Sequence, residues 1–392
     1  MTETFTAEDR AHMARALDLA ARGLYTTDPN PRVGCVLARA GRILGEGWHE
    51  RAGEAHAEVR ALRAAAGEAR GATAYVTLEP CSHTGRTPPC VDALIAAGIG
   101  RVVCSSIDPN PKVAGNGIER LRGAGIPVSV GVLADEARAL NPGFFSRFER
   151  GRPWIRLKLA MSLDARTAPA GGGKMWISSE ASRADVQHWR ARSSAVLTGA
   201  GTVRVDDPRL DVRLTYGSWV RQPLRVLLDP ALTCPPDARL FTGGGALVFA
   251  AEGAPQSPEL AARGVAVEHV PATADRHLDL DAVLECLTAR EVNELLVECG
   301  PRLAAAFLAA QRVDELIVYI APILLGADAP PLAALNGAQA QGPAAAFDIG
   351  SAERIGADLR VILTPRAPRQ PGAAAGGTYA VAGGPYTSAG GT

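Results

Sequence analysis

Thr77-Leu-Glu-Pro-Cys-Ser-His-Thr-Gly-Arg-Thr-Pro-Pro-Cys90 leaves a short apolar run, Ala74-Tyr-Val-Thr-Leu78, and leads into Val91-Asp-Ala-Leu-Ile-Ala-Ala97 and Gly98. The first run reads as a buried strand, and the second as a helix that opens near Cys90 and closes at the glycine. One cysteine therefore follows a strand and the other begins a helix. Upstream, His56-Ala57-Glu58 stands where a helix running to Ala66 should start. One imidazole and two thiolates suit Zn²⁺ and leave a fourth tetrahedral position for water. Residues two apart do not share a helix face, but at a helix N-terminus both can flank a point beyond its end. The partial positive charge there favours the Cys90 thiolate. Zinc lowers the pKa of its water to about 7, and a carboxylate can pass that proton to a departing amine. The expectation is a zinc-dependent aminohydrolase with His56, Cys81 and Cys90 as metal ligands and Glu58 as the catalytic proton carrier.

His-x-Glu alone is a weak signal, since an Ala-rich helix can carry a capped histidine and a solvated glutamate. Pro80-Cys81 after a strand strengthens it, because His-x-Glu followed by Pro-Cys-x-x-Cys is the zinc-deaminase pattern. Here the cysteines are nine positions apart and enclose Ser82 to Pro89. A structural zinc site stays open as an alternative, with His83 as a fourth ligand. The chain holds seven cysteines; Cys35, Cys104, Cys234, Cys286 and Cys299 lie in or beside apolar runs and read as core.

Outward from this centre, helical and strand patterns alternate. Ala7 to Arg22 reads as a helix started by Thr6 and closed by Gly23. Val33–Leu37 and Arg42–Glu46 flank Gly41 as a hairpin, and Arg101–Ser105 is a further strand. Such alternation predicts an α/β layer fold with a largely parallel sheet. The pattern loosens from Asn141 to Pro153, and Trp154-Ile-Arg-Leu-Lys-Leu-Ala160 starts a fresh strand. We therefore expect one domain over 1–150 and another over 151–365. The second repeats the alternation: a helix over Glu180–Arg192, strands at Ala195–Thr198, Leu224–Leu228, Ala246–Ala250 and Glu294–Glu298, and a helix opened by Cys299-Gly300-Pro301. Residues 366–392, rich in Gly, Ala and Pro, read as a disordered tail.

A chain of 392 residues can hold two cores. Its formal net charge of zero gives no reason to expect nucleic acid or a membrane surface as the main partner. No apolar run is long enough to span a bilayer, and the first residues lack a secretory pattern, so a cytoplasmic location is expected.

The wide cysteine loop carries a resemblance. Together with Pro29-Asn-Pro-Arg-Val-Gly-Cys35, Gly53-Glu-Ala-His-Ala-Glu58 and Asp108-Pro-Asn-Pro-Lys-Val-Ala-Gly115, it resembles the deaminase domain of the bifunctional riboflavin-biosynthesis deaminase/reductases. Leu157-Lys-Leu, Val297-Glu-Cys-Gly-Pro301 and Ile320-Ala-Pro-Ile-Leu-Leu-Gly326 extend it over nearly all of the chain except the tail. The resemblance implies a cytidine-deaminase-like three-layer domain with a central, mostly parallel sheet, followed by a dihydrofolate-reductase-like α/β domain. It implies deamination of a 2,5-diaminopyrimidinone carrying a phosphoribosylamino group, then reduction of the ribosyl group to ribityl by NADPH. Phosphorylated pyrimidines are then the partners, and a homo-oligomer is expected.

Polar residues around the zinc, Asn30, His49, His83 and Arg86, could hold substrate or could be turn and cap residues. Read without the resemblance, Gly199-Ala-Gly-Thr202 is a tight turn, and Gly300 is either a phosphate-binding helix start or an ordinary strand-to-helix turn. By similarity, NADPH contacts fall on Ala160, Trp176, Thr202, Asp206, Pro230 and on Gly300, Pro301, Arg302, Leu303, Ala304, Ala305 and Ala306. Substrate contacts fall on Lys174, Arg190, Leu210, Arg213 and Glu298, where two arginines could grip a phosphate; a solvated helix face is the other reading of Arg190. Two departures stand out: Lys174 and Pro230 occupy positions where the family usually carries a hydroxyl residue.

Overall fold

The computed structural model describes residues 4–82, 88–171, 173, 175–214, 220–337, 339 and 346–366. His83, Arg86, Lys174 and the proposed tail from residue 367 lie outside the described residues. Contacts divide the chain into two compact units. The first comprises Met1–Pro153, Thr215–Arg221 and Leu284–Glu294, and the second Trp154–Leu214, Gln222–Val283 and Leu295–Thr392.

In the first unit, α1 (Ala7–Ala21) starts at a capping box in which the Thr6 and Asp9 side chains each accept the other's backbone N–H. β1 (Gly34–Arg39) and β2 (Arg42–Trp48) form the expected hairpin. Ala40 and Gly41 at its tip both take positive φ, 50° and 76°, the backbone that a two-residue turn between twisted strands requires. α2 (Ala57–Ala64), β3 (Thr73–Val76), α3 (Cys90–Ala96), β4 (Arg101–Cys104), α4 (Asn116–Gly123), β5 (Val128–Val130), α5 (Ala134–Leu140) and α6 (Pro142–Arg150) follow. The last of these lies where the sequence pattern loosens. Pro142 at the first helical turn, buried Phe144 and Phe145, and Gly151 at φ 65° as a left-handed stop build a helix there.

The sheet order is β2-β1-β3-β4-β5. β3-β4 and β4-β5 are parallel, but β1 pairs antiparallel with both neighbours, so this sheet is mixed rather than largely parallel. The reason is the tight hairpin, which reverses the chain without a crossover helix. Strand residues alternate between two cores. Cys35, Leu37, Ala74, Val76, Val102 and Cys104 pack with residues of α2, α3 and α4, whereas Val36, Ala38, Tyr75 and Val103 pack with Met13, Ala16 and Leu19 of α1. Burial on both faces at period two makes three layers.

The second unit is built on a nine-stranded sheet. The chain from β6 onward runs through β6 (Trp154–Ser162), α7 (Glu180–Arg192), β7 (Ala195–Gly199), α8 (Ala200–Asp206), β8 (Leu224–Leu228), β9 (Ala246–Ala251), α9 (Pro258–Ala262), β10 (Ala266–Val270), α10 (Leu280–Ala289, which passes into the first unit at Leu284), β11 (Glu294–Glu298), α11 (Pro301–Ala309), β12 (Glu315–Ala321), β13 (Phe347–Ile355) and β14 (Asp358–Pro365). A 3₁₀ turn at Arg239–Phe241 precedes β9. The order is β10-β9-β8-β7-β11-β6-β12-β14-β13. Pairings from β10 to β11 are parallel, as is β6-β12, and a C-terminal antiparallel hairpin closes the edge. The Gly199–Thr202 segment is the opening of the short helix α8, not a tight turn.

Close packing of α2 on β2 is what brings His56 and Glu58 to the sheet. A Cβ at Gly47 would stand 2.4 Å from the Ala57 carbonyl oxygen and 2.5 Å from the Ala61 nitrogen, both helix backbone. At Gly41 an added Cβ would meet nothing within 4 Å. Gly47→Ala is therefore expected to push α2 off the sheet, costing about 1–3 kcal/mol or more by overpacking. Thermal unfolding should show a lowered midpoint together with reduced zinc per chain. An unchanged midpoint would mean that the helix can move aside freely.

Candidate active sites

His56 is the N-cap residue of α2, with extended backbone (φ −72°, ψ 167°) and no side-chain capping bond, so its imidazole is free to turn beyond the helix end. Cys81 follows β3, and Cys90 opens α3 directly after Pro89. Their ligand atoms all lie within 4.8 Å of one another. His56 Nδ1 is 3.2 Å from Cys90 Sγ and 3.5 Å from Cys81 Sγ. A tetrahedral zinc with ordinary Zn–N and Zn–S bonds sets such N···S edges at about 3.6 Å. Donor chemistry and spacing both fit that ion, and among the described residues no other group of three or more potential ligands comes together.

The electrostatics are those of a crowded anionic pocket. Hydrogen bonding from Cys90, with help from His56, holds the Cys81 thiol down at about 4, and its bond to Cys81 in turn pushes Cys90 up. The Cys90 backbone N–H donates to Cys81 Sγ at 3.3 Å. Glu58 is only 3% exposed; burial, then the Cys81 charge, raises its carboxyl to about 7. Asn30 Nδ2 donates to His49 Nε2 at 3.0 Å, and the His49 and His56 rings meet edge-on at 5.1 Å. Burial and His56 depress His49 to about 4, so its imidazole is neutral and can accept from Asn30. The Asn30 loop is itself held by Asn141, which exchanges two bonds with the Arg32 backbone at 2.8 and 2.9 Å. Asp108, in a motif whose spacing gives no hint of a role, also belongs to this region. It is buried, accepts from Asn110 N–H at 2.8 Å, and is raised to about 7 by burial, with smaller contributions from Glu79 and Cys81.

In the second unit, Glu298 ends β11 and receives Arg190 of α7 in a two-pronged pair at 2.6 and 2.9 Å. Arg190 also donates to the Asp211 carbonyl at 3.2 Å. Asp211 in turn pairs with Arg213 and, at 2.8 Å, with Arg209. Both arginines expected to grip a phosphate are thus already engaged by carboxylates, and Arg190 is buried rather than a solvated helix residue. Leu210 has a buried side chain within the hydrophobic core and a φ of 54°, leaving only its backbone for a ligand. Lys158 on β6 lies within electrostatic range of the Glu298–Arg190 pair. Burial lowers its pKa, opposed by Glu298.

Of the residues assigned to NADPH, Thr202 and the Gly300 segment come together. β7 and β11 are parallel neighbours, a Cβ at Gly199 would lie 3.2 Å from Leu303, and one at Gly300 would lie 4.0 Å from Thr202 Oγ1. Gly300 caps α11 without a side chain, and Pro301 occupies the first turn. Arg302 and Ala306 are exposed, Leu303 is half-buried, and Ala304 and Ala305 are buried, so the last two offer backbone only. Asp206 is exposed and Ala160 half-buried. Trp176 is 68% exposed beneath the Arg183 guanidinium, 4.9 Å from the ring centre. Pro230 has no N–H and its carbonyl accepts from Ala251 at 3.0 Å, so a backbone N–H contact is closed to it.

Among the described residues no helix is long and apolar enough to cross a membrane. The family model described as the cytidine and deoxycytidylate deaminase zinc-binding region matches residues 6–106, and the RibD C-terminal domain model matches residues 153–361. Riboflavin biosynthesis protein RibD of Escherichia coli K12 is 49% identical over 364 residues, covering 90% of this chain and 98% of that protein. The Haemophilus influenzae protein of the same name is 44% identical over 92% of this chain and 99% of its own. Among solved structures, Acinetobacter baumannii RibD superposes with a TM-score of 0.86 at 43% identity, covering 92% of this chain and 99% of that one. A Thermotoga maritima protein, titled a diaminohydroxyphosphoribosylaminopyrimidine deaminase/5-amino-6-(5-phosphoribosylamino)uracil reductase, gives 0.80 at 34% identity over 92% and 99%. With both domains matched in one chain over nearly its whole length, this protein belongs to the RibD family of bifunctional deaminase/reductases of riboflavin biosynthesis.

Proposed function

We propose that the chain deaminates 2,5-diamino-6-(5-phosphoribosylamino)pyrimidin-4(3H)-one in a domain over 1–150 and reduces 5-amino-6-(5-phosphoribosylamino)uracil with NADPH in a domain over 151–365, leaving 366–392 as a tail. The observation that carries the first half is the convergence of one imidazole and two thiols beside a buried carboxyl. His56, Cys81 and Cys90 would hold zinc, which when bound supplies the Lewis acidity that activates water at neutral pH. Glu58, buried beside these ligands, is the carboxyl placed to take and give a proton. It takes one from the attacking water and returns it to the leaving amine, so that ammonia departs. Asn30 and neutral His49 line the approach as donors and acceptors for the pyrimidine, and Asp108 is a further candidate.

For the second half, Thr202 and the Gly300–Ala306 turn are the best-supported NADPH contacts, because they converge where two parallel strands end in helices. Trp176, Ala160, Asp206 and Pro230 are carried with them. Lys174, Arg190, Leu210, Arg213 and Glu298 complete the proposed substrate contacts, Arg190 and Glu298 acting as a pair. The cytoplasm is the proposed location and a homo-oligomer the proposed assembly. A purely structural zinc site is disfavoured by Glu58, since a buried carboxyl beside the ligands is costly without a task.

Glu58→Gln keeps the shape of the side chain but cannot carry the proton. Ammonia release should fall about 10²–10⁴-fold, while NADPH oxidation with the uracil intermediate supplied directly should be unchanged. Full deaminase activity in this variant would sink the proton-carrier role. If wild-type protein releases ammonia but never oxidises NADPH, the reductase reading fails instead.

Arg190→Met removes one partner of the buried pair and should cost about 3–5 kcal/mol, leaving Glu298 unpaired. Burial alone pushes Glu298 up, but Arg190 outweighs it and holds the carboxyl below its ordinary value. A depressed folded-state pKa contributes stability that is full above the unfolded value of about 4.3 and is lost as pH falls through the folded one. In the variant the sign reverses, so denaturant titrations should show stability falling as pH rises above that value. Parallel pH profiles for the two proteins would contradict this.

A further inference from the structure

Glu79 lies two residues before Cys81, is buried, and has no part in the chemistry described so far. Its carboxylate collects four backbone N–H groups from one stretch of chain. Oε2 accepts from Asp108 at 3.2 Å and Gly115 at 2.9 Å, and Oε1 accepts from Gly117 at 2.9 Å and Ile118 at 3.3 Å. Gly117 and Ile118 are in the first turn of α4, whose N-cap, Gly115, has no side chain to satisfy them. Glu79 therefore caps that helix from another part of the chain, and a negative group is favoured at that end. A carboxylate offers about four acceptor positions, so these bonds leave none for a ligand. The Glu79 backbone is pinned as well, its N–H donating to Ser106 at 2.9 Å.

A second contact ties the same two segments. A Cβ at Gly117 would stand 2.1 Å from the Pro80 carbonyl oxygen, so α4 begins in direct contact with the peptide that leads into Cys81. Arg120 of α4 donates to the Ser82 carbonyl at 3.3 Å, on the other side of that cysteine. At the far end of the loop, Asp108 is buried within electrostatic range of Cys81.

We propose that Glu79 is a positioning residue of the deaminase reaction: it clamps the Asp108–Ile118 loop to the segment carrying Cys81 and so sets the wall of the substrate site beside the metal ligands. The inference rests on the deaminase reading of that centre. Glu79 touches neither substrate nor metal, so its effect runs through the loop. In Glu79→Gln one oxygen becomes an NH₂ group that faces two N–H donors, and at least those two bonds are lost.

The test uses full-length zinc-loaded protein. In Glu79→Gln, hydrogen exchange should show lost protection at Asp108, Gly115, Gly117 and Ile118, with zinc per chain unchanged. KM for the diaminopyrimidinone should rise about tenfold or more, the scale of a lost hydrogen bond to a charged acceptor, with kcat changed less and NADPH oxidation unaffected. Gly117→Ala, which leaves Glu79 intact but displaces the loop from Pro80, should reproduce that pattern. Retained loop protection, a fall in kcat alone, or zinc loss in step with activity would each overturn the proposal. Should Glu79→Gln not fold, Gly117→Ala decides: folded, zinc-loaded protein with unaltered KM overturns it. Loop protection is read without substrate, so wild-type protein that releases no ammonia would count against the deaminase reading and not against the clamp.

Discussion

Everything in the first unit answers to one electrostatic constraint: two cysteine sulfurs and a carboxyl are held together out of water beside a single imidazole. Three such groups cannot all ionise in a buried site without a compensating cation. The protein's own groups settle the matter by keeping protons, with Cys90 raised, Glu58 raised to about 7 and only Cys81 lowered. A divalent cation held by His56, Cys81 and Cys90 would offset both thiolates, leaving Glu58 free to exchange its proton. The scaffold contributes what it can beforehand. Two helices, α2 and α3, aim their positive ends at the cluster, and the Cys90 N–H binds the Cys81 sulfur. That convergence demands that α2 lie against β2, which is why Gly45 and Gly47 leave no room for a Cβ.

The second unit handles buried charge differently. Arg190 and Glu298 neutralise one another by forked geometry, and Arg213 and Arg209 share Asp211. No net charge is left over at the Arg190–Glu298 pair, so it needs no ion to be stable. An incoming phosphate must therefore compete with carboxylates already in place, or bind where the pairs leave donors outward. Paired guanidiniums of this kind orient a ligand more than they attract it.

What could be read in advance follows from which signals are local. The hairpin at Gly41, the Thr6 cap and the strand-to-helix turn at Gly300 each depend on residues a few positions apart, and each is where the pattern puts it. His56, Glu58, Cys81 and Cys90 were legible because ligand chemistry restricts residue type so strongly. The helix at Pro142–Arg150 was not, because Pro142 and Gly151 act there as start and stop, whereas in sequence they look like interruptions. The antiparallel pairing of β1 with β3 joins residues about forty apart, and no periodicity encodes it. Leu210 illustrates a further limit: carried over as a ligand contact, it spends its side chain on the core.

Glu79 and Asp108 escaped for a deeper reason. A glutamate before Pro-Cys looks like a surface charge, and its meaning lies entirely in backbone donors some thirty to forty residues downstream. Backbone N–H groups have no residue identity, so no pattern of letters reports that they need a partner. The requirement appears only when the loop is built and the donors of α4 are counted against a glycine N-cap that cannot serve them. Gly115 is the one mark this leaves in the sequence. A helix that begins at glycine, with no capping side chain of its own, has to borrow an acceptor, and here the lender is the residue that leads into a metal ligand. Helix capping and the placement of the loop beside Cys81 are thereby made one structural problem, solved by a residue whose carboxylate bonds only backbone.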